Sequence, residues 1–474
     1  MGPDFQVPLS PEVAGFLPGR AADRVPGRTV VGGAEIPAQW WELFRAPALD
    51  RLVQQGIAFN ADLAAAEAAV RVAQANARAQ RGALFPTVTG TFDASRQKVA
   101  ADLSSPLESG ASIFNLYTAQ LTVTYVADVW GGTRRQIEAA DAETENRAFQ
   151  REGVYLTLAS NIALATIEEA RLRGQIAATQ RIIRLQSDLL GILRRQHEEG
   201  QIGLPDVVTQ ETALAQSQLI LPPLERDLAK QRNLLAFLTG RFPSETNLET
   251  FQLGSFRLPR RLPLSLPADL VRQRPDIRTA EANLRAANAQ IGVAIANRLP
   301  QITLTGNKGS TAEKLSQLFS PGTGFWMIAG NVAQTVFDAG TLENKQRAAE
   351  EATNQAVAQY RSVVLAAFQN VADVLRALQA DARAVTAAAA AERSAQRNVD
   401  LVRRQVEQGQ VNIALLIQAQ QAFLQALLAH VDAQASRLAD TVALFQALGG
   451  GWWNRPQLPD LREDREQPPP MRRE

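Results

Sequence analysis

The chain has 474 residues, with 49 Lys and Arg against 48 Asp and Glu for a formal net charge of +1, and no cysteine. So even a balance gives no reason to invoke nucleic acid, and the lack of cysteine removes disulfides, thiol catalysis and cysteine-based metal sites together. Helix formers dominate, aromatics make up only 6%, and no run of 18 or more apolar residues offers a transmembrane helix.

Residues 1–48 are rich in Pro and Gly and read as an extended arm; Met1-Gly2-Pro3-Asp4-Phe5 leads straight into polar sequence, without an apolar signal stretch. A first helix is predicted from Pro47 to Gly82, ending before Phe85-Pro86. Two strands follow, about 84–97 and 113–130, joined by a polar loop with Ser104-Ser105-Pro106 and Ser109-Gly110. From Gly132 to about Gly200 there is no proline, and a helix of roughly 68 residues would be about 100 Å long. Ile182, Leu185, Leu189 and Ile192 follow the 3-4-3 spacing of a coiled-coil seam. A reversal at Gly200–Pro205 leads into a return helix, interrupted at Pro222-Pro223 and closing at Leu238-Thr239-Gly240. A linker rich in Pro and Arg precedes a helix over 267–298, strands at about 299–310 and 324–338, and a long helix from about Thr341 to Gln408. Its reversal lies at Gly409–Ile413, and the return helix ends at Leu448-Gly449-Gly450.

The second half repeats the first. Arg194-Arg195-Gln196-His197-Glu198-Glu199-Gly200-Gln201 returns as Arg403-Arg404-Gln405-Val406-Glu407-Gln408-Gly409-Gln410, with six of eight positions identical at an offset of 209. Ala61-Asp62-Leu63 through Glu67 parallels Pro275-Asp276-Ile277 through Glu281, at an offset of 214. That period is far too long for a solenoid. The organisation is therefore an arm (1–48), a first repeat (49–240), a linker (241–266), a second repeat (267–450) and a C-terminal tail (451–474). Helices several times the usual 11–12 residues must support one another as an antiparallel coiled coil.

The strands add a membrane. Tyr117, Ala119, Leu121, Val123 and Tyr125 share one face and Thr118, Gln120, Thr122 and Thr124 the other; in the second copy Gln301, Thr303 and Thr305 alternate with Ile302, Leu304 and Gly306. Such strands suit a barrel with a lipid face, on which Ala119, Leu121, Val123 and Tyr125 would lie, and a wet lumen; the competing reading is an ordinary sheet with one buried face. Four strands cannot close a barrel, so strands from other chains must complete it, two chains giving eight and three giving twelve.

The chain resembles the TolC/OprM-type outer-membrane efflux factors, within them the NodT-like lipoprotein branch of RND efflux systems. The resemblance rests on the duplication, on Gly2-Pro3-Asp4-Phe5-Gln6-Val7-Pro8, Trp40-Trp41-Glu42-Leu43-Phe44, Leu84-Phe85-Pro86 and Trp130-Gly131-Gly132. It rests most on Leu266-Pro267-Ala268-Asp269-Leu270-Val271-Arg272-Gln273-Arg274-Pro275-Asp276-Ile277. It implies a mainly α chain with a small β part, whose homotrimer forms a twelve-stranded transmembrane β-barrel and a periplasmic α-barrel of long antiparallel helices. The arm and the linker would then contribute an equatorial region. It also implies a passive outer-membrane conduit for drugs or other small molecules, linked to multidrug resistance, docked to a periplasmic adaptor (membrane fusion protein) and an inner-membrane RND-type pump, with no cofactor and no enzymatic activity. An outer-membrane duct of a type I protein secretion system is the alternative, and a non-pore coiled-coil scaffold the alternative of another class. In similar lipoproteins a segment like Gly2-Pro3-Asp4 follows an acylated cysteine, so a signal and such a cysteine are expected upstream of Gly2.

The same resemblance places adaptor docking and the periplasmic aperture at the two reversals, Gly200-Gln201-Ile202-Gly203-Leu204 and Gly409-Gln410-Val411-Asn412-Ile413. Read without it, the glycines are simple helix stops. Asp206 would narrow the opening as a threefold carboxylate ring or cap a helix; Leu415 stands where related chains often carry an acid. Arg194, Arg195, Arg403 and Arg404 would pair between neighbouring helices and hold the aperture, or be solvated charges near helix C-termini. His197 and His430, on different helices, have no evident catalytic partner, and no phosphate loop or nucleophile motif occurs.

Overall fold

A computed structural model describes residues 1–13, 15–18, 28–100, 111–245 and 249–455. In chain order the elements are β1 (Thr29–Gly32), a 3-10 turn (Trp40–Phe44), α1 (Pro47–Phe59), α2 (Ala61–Gly82), β2 (Thr87–Lys98), β3 (Ile113–Ala127), α3 (Gly132–Glu198), α4 (Leu204–Gln218) and α5 (Leu221–Leu238). Then come β4 (Arg261–Leu264), α6 (Pro267–Gln273), α7 (Pro275–Ala296), β5 (Gln301–Ala312), β6 (Gly324–Ala333), α8 (Thr341–Glu407) and α9 (Ile413–Ala447). Contacts divide the chain into one unit of Met1–Pro8, Ala69–Arg147 and Ala280–Tyr360, and a second of Leu9–Ala68, Ala148–Thr279 and Arg361–Glu474.

The first unit carries the four-stranded antiparallel sheet, ordered β2-β3-β5-β6. Its register brings the two copies into phase. Val88, Val123, Gly306 and Ile328 form one row across all four strands, and Gly90, Leu121, Lys308 and Trp326 the next. The opposite face carries Thr89, Thr122, Asn307 and Met327, then Thr87, Thr124, Thr305 and Ala329. A one-residue slip in any pairing would have mixed the faces. Among the described residues the outer edges of β2 and β6 have no partner strand.

The second unit has an aromatic core that the expected extended arm did not foretell. Trp40, Trp41 and Phe44 are fully buried, and Trp40 stacks on Phe445 of α9 with ring centroids 5.3 Å apart. The arm is therefore anchored over this stretch, because large rings bury too much surface to be left in water. Residues Thr29–Gly32 pair in parallel with Arg261–Leu264 from the linker, so both segments contain a strand. Along the coil, α3, α4, α8 and α9 share a cluster including Ile182, Leu190, Leu193, Val207, Val399, Leu416 and Phe423. Helix α9 is long and apolar enough to cross a membrane by composition alone, yet its first half packs into this cluster and Phe445 near its end packs on Trp40.

Several sequence expectations need correction. The first helix is two, broken at Asn60; its counterpart over 267–298 is also two, broken at Arg274, where the following proline disfavours helix. In the return helix the break falls at Leu219 and Ile220, and Pro222 sits in the first turn of α5, where its missing N–H costs nothing. The coil seam does not run through Ile192, which is 40% exposed; Leu190 and Leu193 are buried in its place. The start of the expected tail is docked: Trp452 Nε1 donates to the Gln273 carbonyl at 2.6 Å and Asn454 to that of Ile36 at 2.8 Å. Residues 456–474 and the loop around Ser104–Gly110 lie outside the described residues.

Candidate functional site

Both reversals use the same stop. Gly200 and Gly409 have φ of 75° and 70°, the left-handed region that glycine enters freely. The Gly200 N–H donates to the His197 carbonyl at 2.9 Å and that of Gln201 to Gln196 at 2.8 Å; the Gly409 N–H donates to Val406 at 2.9 Å and Gln410 to Gln405 at 2.9 Å. Each pair satisfies carbonyls that a helix end would leave unpaired. Even a side-chain bond repeats: the Gln201 amide donates to Glu199 at 2.8 Å and the Gln410 amide to Gln408 at 2.9 Å. Ile202 and Val411 pack at matching places against the coil cluster.

The copies part company one residue later. Asn412 caps α9, its side chain accepting from the Leu415 N–H at 3.2 Å, while Gly203 precedes α4 with no side chain to do so. Leu204 is 56% exposed, whereas its counterpart Ile413 is 7% exposed. Asp206 is not the capping residue; it lies in the first turn of α4, where the helix dipole favours a carboxylate. Leu415, at the equivalent position, is 40% exposed and apolar.

Among the four arginines, Arg194 does join neighbouring helices, pairing with Glu211 of α4 at 2.6 Å. Arg403 pairs with Glu407 on its own helix at 3.7 Å, and Arg404 donates to the Asp400 carbonyl at 3.1 Å. Arg195 is exposed. His197 Nδ1 lies 3.0 Å from the Ile202 carbonyl and so braces the first turn, a role its counterpart Val406 cannot take. His430 pairs with Glu392 of α8, a partner the sequence did not disclose, while its other ring nitrogen is 2.9 Å from the Gln434 amide. No group of three or more metal-ligating residues occurs among the described residues.

In the sheet, Ala119, Leu121, Val123 and Tyr125 share the face of Val88, Leu304, Ile328 and Val332. Just beyond β3 the first residues of the chain are clamped. The Met1 amino group donates to the Trp130 carbonyl at 3.1 Å, Arg135 binds the Met1 carbonyl at 3.1 Å and Asp4 at 2.6 Å, and Asn288 donates to the Pro3 carbonyl at 3.0 Å. Gly2 meets Gly292 so closely that a Cβ on either would collide with backbone. A half-buried carboxyl pair was also missed: Asp381 of α8 lies within hydrogen-bonding reach of Asp440 of α9, with Arg437 and Arg28 alongside. Its members come from three separated segments, which no local pattern links.

The model of the outer membrane efflux protein family matches residues 52–241 and 266–450, one match on each repeat. A probable efflux pump outer membrane protein, TtgC of Pseudomonas putida, is 30% identical over 454 residues, covering 96% of this chain and 93% of the relative. The pyoverdine export outer membrane protein OpmQ of the same species is 31% identical over 426 residues, covering 88% of this chain and 89% of that one. Among solved structures, the outer-membrane channel OprN superposes with a TM-score of 0.87 at 25% identity, over 95% of this chain and 99% of the other. The fold is thus that of the trimeric outer-membrane channels, in which three chains of four strands complete a barrel of twelve and the long antiparallel helices form a periplasmic α-barrel. The chain belongs to the outer membrane efflux protein family.

Proposed function

We propose that this outer-membrane efflux channel works as a passive, non-catalytic homotrimeric duct, coupled through a periplasmic adaptor to an inner-membrane RND-type pump, and that its cargo is drugs or other small molecules. Relatives named for toluene efflux and pyoverdine export support a small-molecule cargo. The observation that carries the docking reading is the repeated stop at Gly200 and Gly409, which presents two exposed turns of nearly the same shape per chain. In a trimer six such turns surround one opening, and an adaptor that contacts them only in a dilated state would shift the equilibrium toward it. Ala119, Leu121, Val123 and Tyr125 then face lipid.

The clamped segment Met1–Asp4 favours a further element, an acyl anchor on a residue preceding Gly2. The Arg135 and Asn288 contacts hold that segment beside Trp130 at the exit of β3. Because the chain has no cysteine, single cysteines at Gln201 or Gln410 are unique handles. Photocrosslinking from them should capture the adaptor, and replacing both Gly200 and Gly409 by valine should abolish capture and restore drug susceptibility. Unchanged crosslinking and unchanged resistance would sink the docking assignment.

A further inference from the structure

The four strands hold only four charged residues, and the register sorts them by face. Arg96, Lys98 and Lys308 all lie on the apolar face, in phase with Val88, Leu121 and Ile328. The single acid, Asp93, pairs with Thr118 on the opposite face. All three cations are exposed, and among the described residues none makes an ion pair. An apolar face normally sheds charge, so three cations without a carboxylate partner among the described residues call for an anionic partner.

Their height identifies it. On β3 the apolar face runs from Ala127 at the helix end to Tyr117 toward the loop end, about 34 Å along the strand and about 26 Å in depth at a tilt near 40°. That depth fills a barrel's apolar band. Arg96 and Lys98 pair with Asn115 and Ile113, one and two rows beyond Tyr117. They stand just outside the band, on the side away from the helices and therefore in the outer leaflet. Lys308 lies two rows below Tyr117 beside Trp326, about 10 Å deeper on the same scale, and its four-carbon stem carries the ammonium most of the way toward the interface.

We propose that Arg96, Lys98 and Lys308 form a binding rim for the phosphates of a phosphorylated glycolipid of the outer leaflet, with Trp326 and Tyr117 packing against its sugar and upper acyl segments. The proposal rests on the lipid-facing reading of this sheet face. At about 1 kcal/mol per cation near an anionic surface, removing all three should weaken binding roughly a hundredfold.

The test uses the purified trimer and a fluorescent bisphosphorylated lipid A. Wild type should bind it tightly, and the R96Q/K98Q/K308Q variant about a hundredfold more weakly; K308Q alone and R96Q/K98Q should fall between, which covers a triple variant that fails to assemble. Dephosphorylated lipid A should lose the difference between wild type and variants. Equal binding by wild type and the single and double variants would overturn the proposal. So would equal stabilisation by phosphatidylglycerol, which indicates a generic anionic surface, or by inorganic phosphate, which indicates a free-ion site. A spin label on Ile328→Cys tests the underlying reading separately. Oxygen accessibility typical of lipid, together with absent lipid A binding, rejects the rim alone; a water-exposed label rejects the lipid-facing assignment itself.

Discussion

Asn60 and Arg274 occupy the same joint in the two repeats, each reaching from a break between two helices to the last carbonyl of a return helix. The Asn60 amide donates to the Leu238 carbonyl at 3.2 Å, and the Arg274 guanidinium to the Ala447 carbonyl at 2.7 Å. Asn60 also caps α2, accepting from the Leu63 N–H at 3.1 Å, while Arg274 is held in place by Asp276 at 2.6 Å. Losing a cap costs about 1 kcal/mol and losing a charged hydrogen bond in a buried setting about 2–3 kcal/mol. Asn60→Ala should therefore destabilise modestly and Arg274→Ala about twice as much, measured by denaturant unfolding of the detergent-solubilised trimer. Equal and negligible losses would show that the joints are incidental.

The Asp381–Asp440 pair should make stability depend on pH. Burial, then the hydrogen bond and repulsion from Asp440, push the Asp381 carboxyl up to about 7, against the opposing pull of Arg437 and Arg28. The folded chain therefore keeps a proton that the unfolded chain releases above the ordinary value of 3.8. Its contribution to stability is complete below about pH 4, falls as pH rises, and is lost once pH passes through about 7. Asp381→Asn keeps a hydrogen bond without titrating. Thermal midpoints collected from pH 5 to 8 should fall more steeply for wild type than for the variant, and parallel curves would exclude the pair as the source.

At the reversals, a Cβ on Gly200 or Gly409 would meet nothing within 4 Å, so space does not demand glycine there. The positive φ does. Gly200→Ala and Gly409→Ala should each cost about 1–2 kcal/mol, with Asn milder because it tolerates the left-handed region better. Calorimetry on the three forms at each site provides the comparison, and an alanine variant as stable as wild type would mean the turn readily adopts another shape.

Much of the fold was legible because glycine stops, alternating strands and proline breaks are local signals. The phase of the strands was readable from Leu121 and Thr122 alone, and the duplication supplied each reversal twice. What stayed hidden depended on partners far away in sequence. Val30 and Leu262 pair across the whole first repeat, and nothing near Trp40 announces that Phe445 will stack on it. The coil seam misled for a subtler reason. Leu185 and Ile192 complete a tidy apolar spacing with Ile182, but a helix of 3.6 residues per turn drifts against a 3.5 repeat. The buried line passes instead through Gln186 and Leu193.

That drift leaves Gln186 fully buried among Ile182, Leu189 and Leu190, and neither its amide nitrogen nor its oxygen finds a hydrogen-bond partner among the described residues. The buried Gln210 of α4 donates to the Gln186 backbone carbonyl at 2.9 Å, yet its own oxygen is unpaired, as is that of Gln420 on α9. Three helices thus bring polar groups into an apolar cluster near the reversals, and each unpaired group costs about 1–3 kcal/mol. A coil weakened at this level would separate its helices more readily than an all-apolar one. Gln186→Leu, close in size, should raise the thermal midpoint by the equivalent of about 1–3 kcal/mol and lower the open probability in planar bilayers. A leucine variant that is less stable than wild type would mean that Gln186 is satisfied in the working trimer, and that the coil's weak point lies elsewhere.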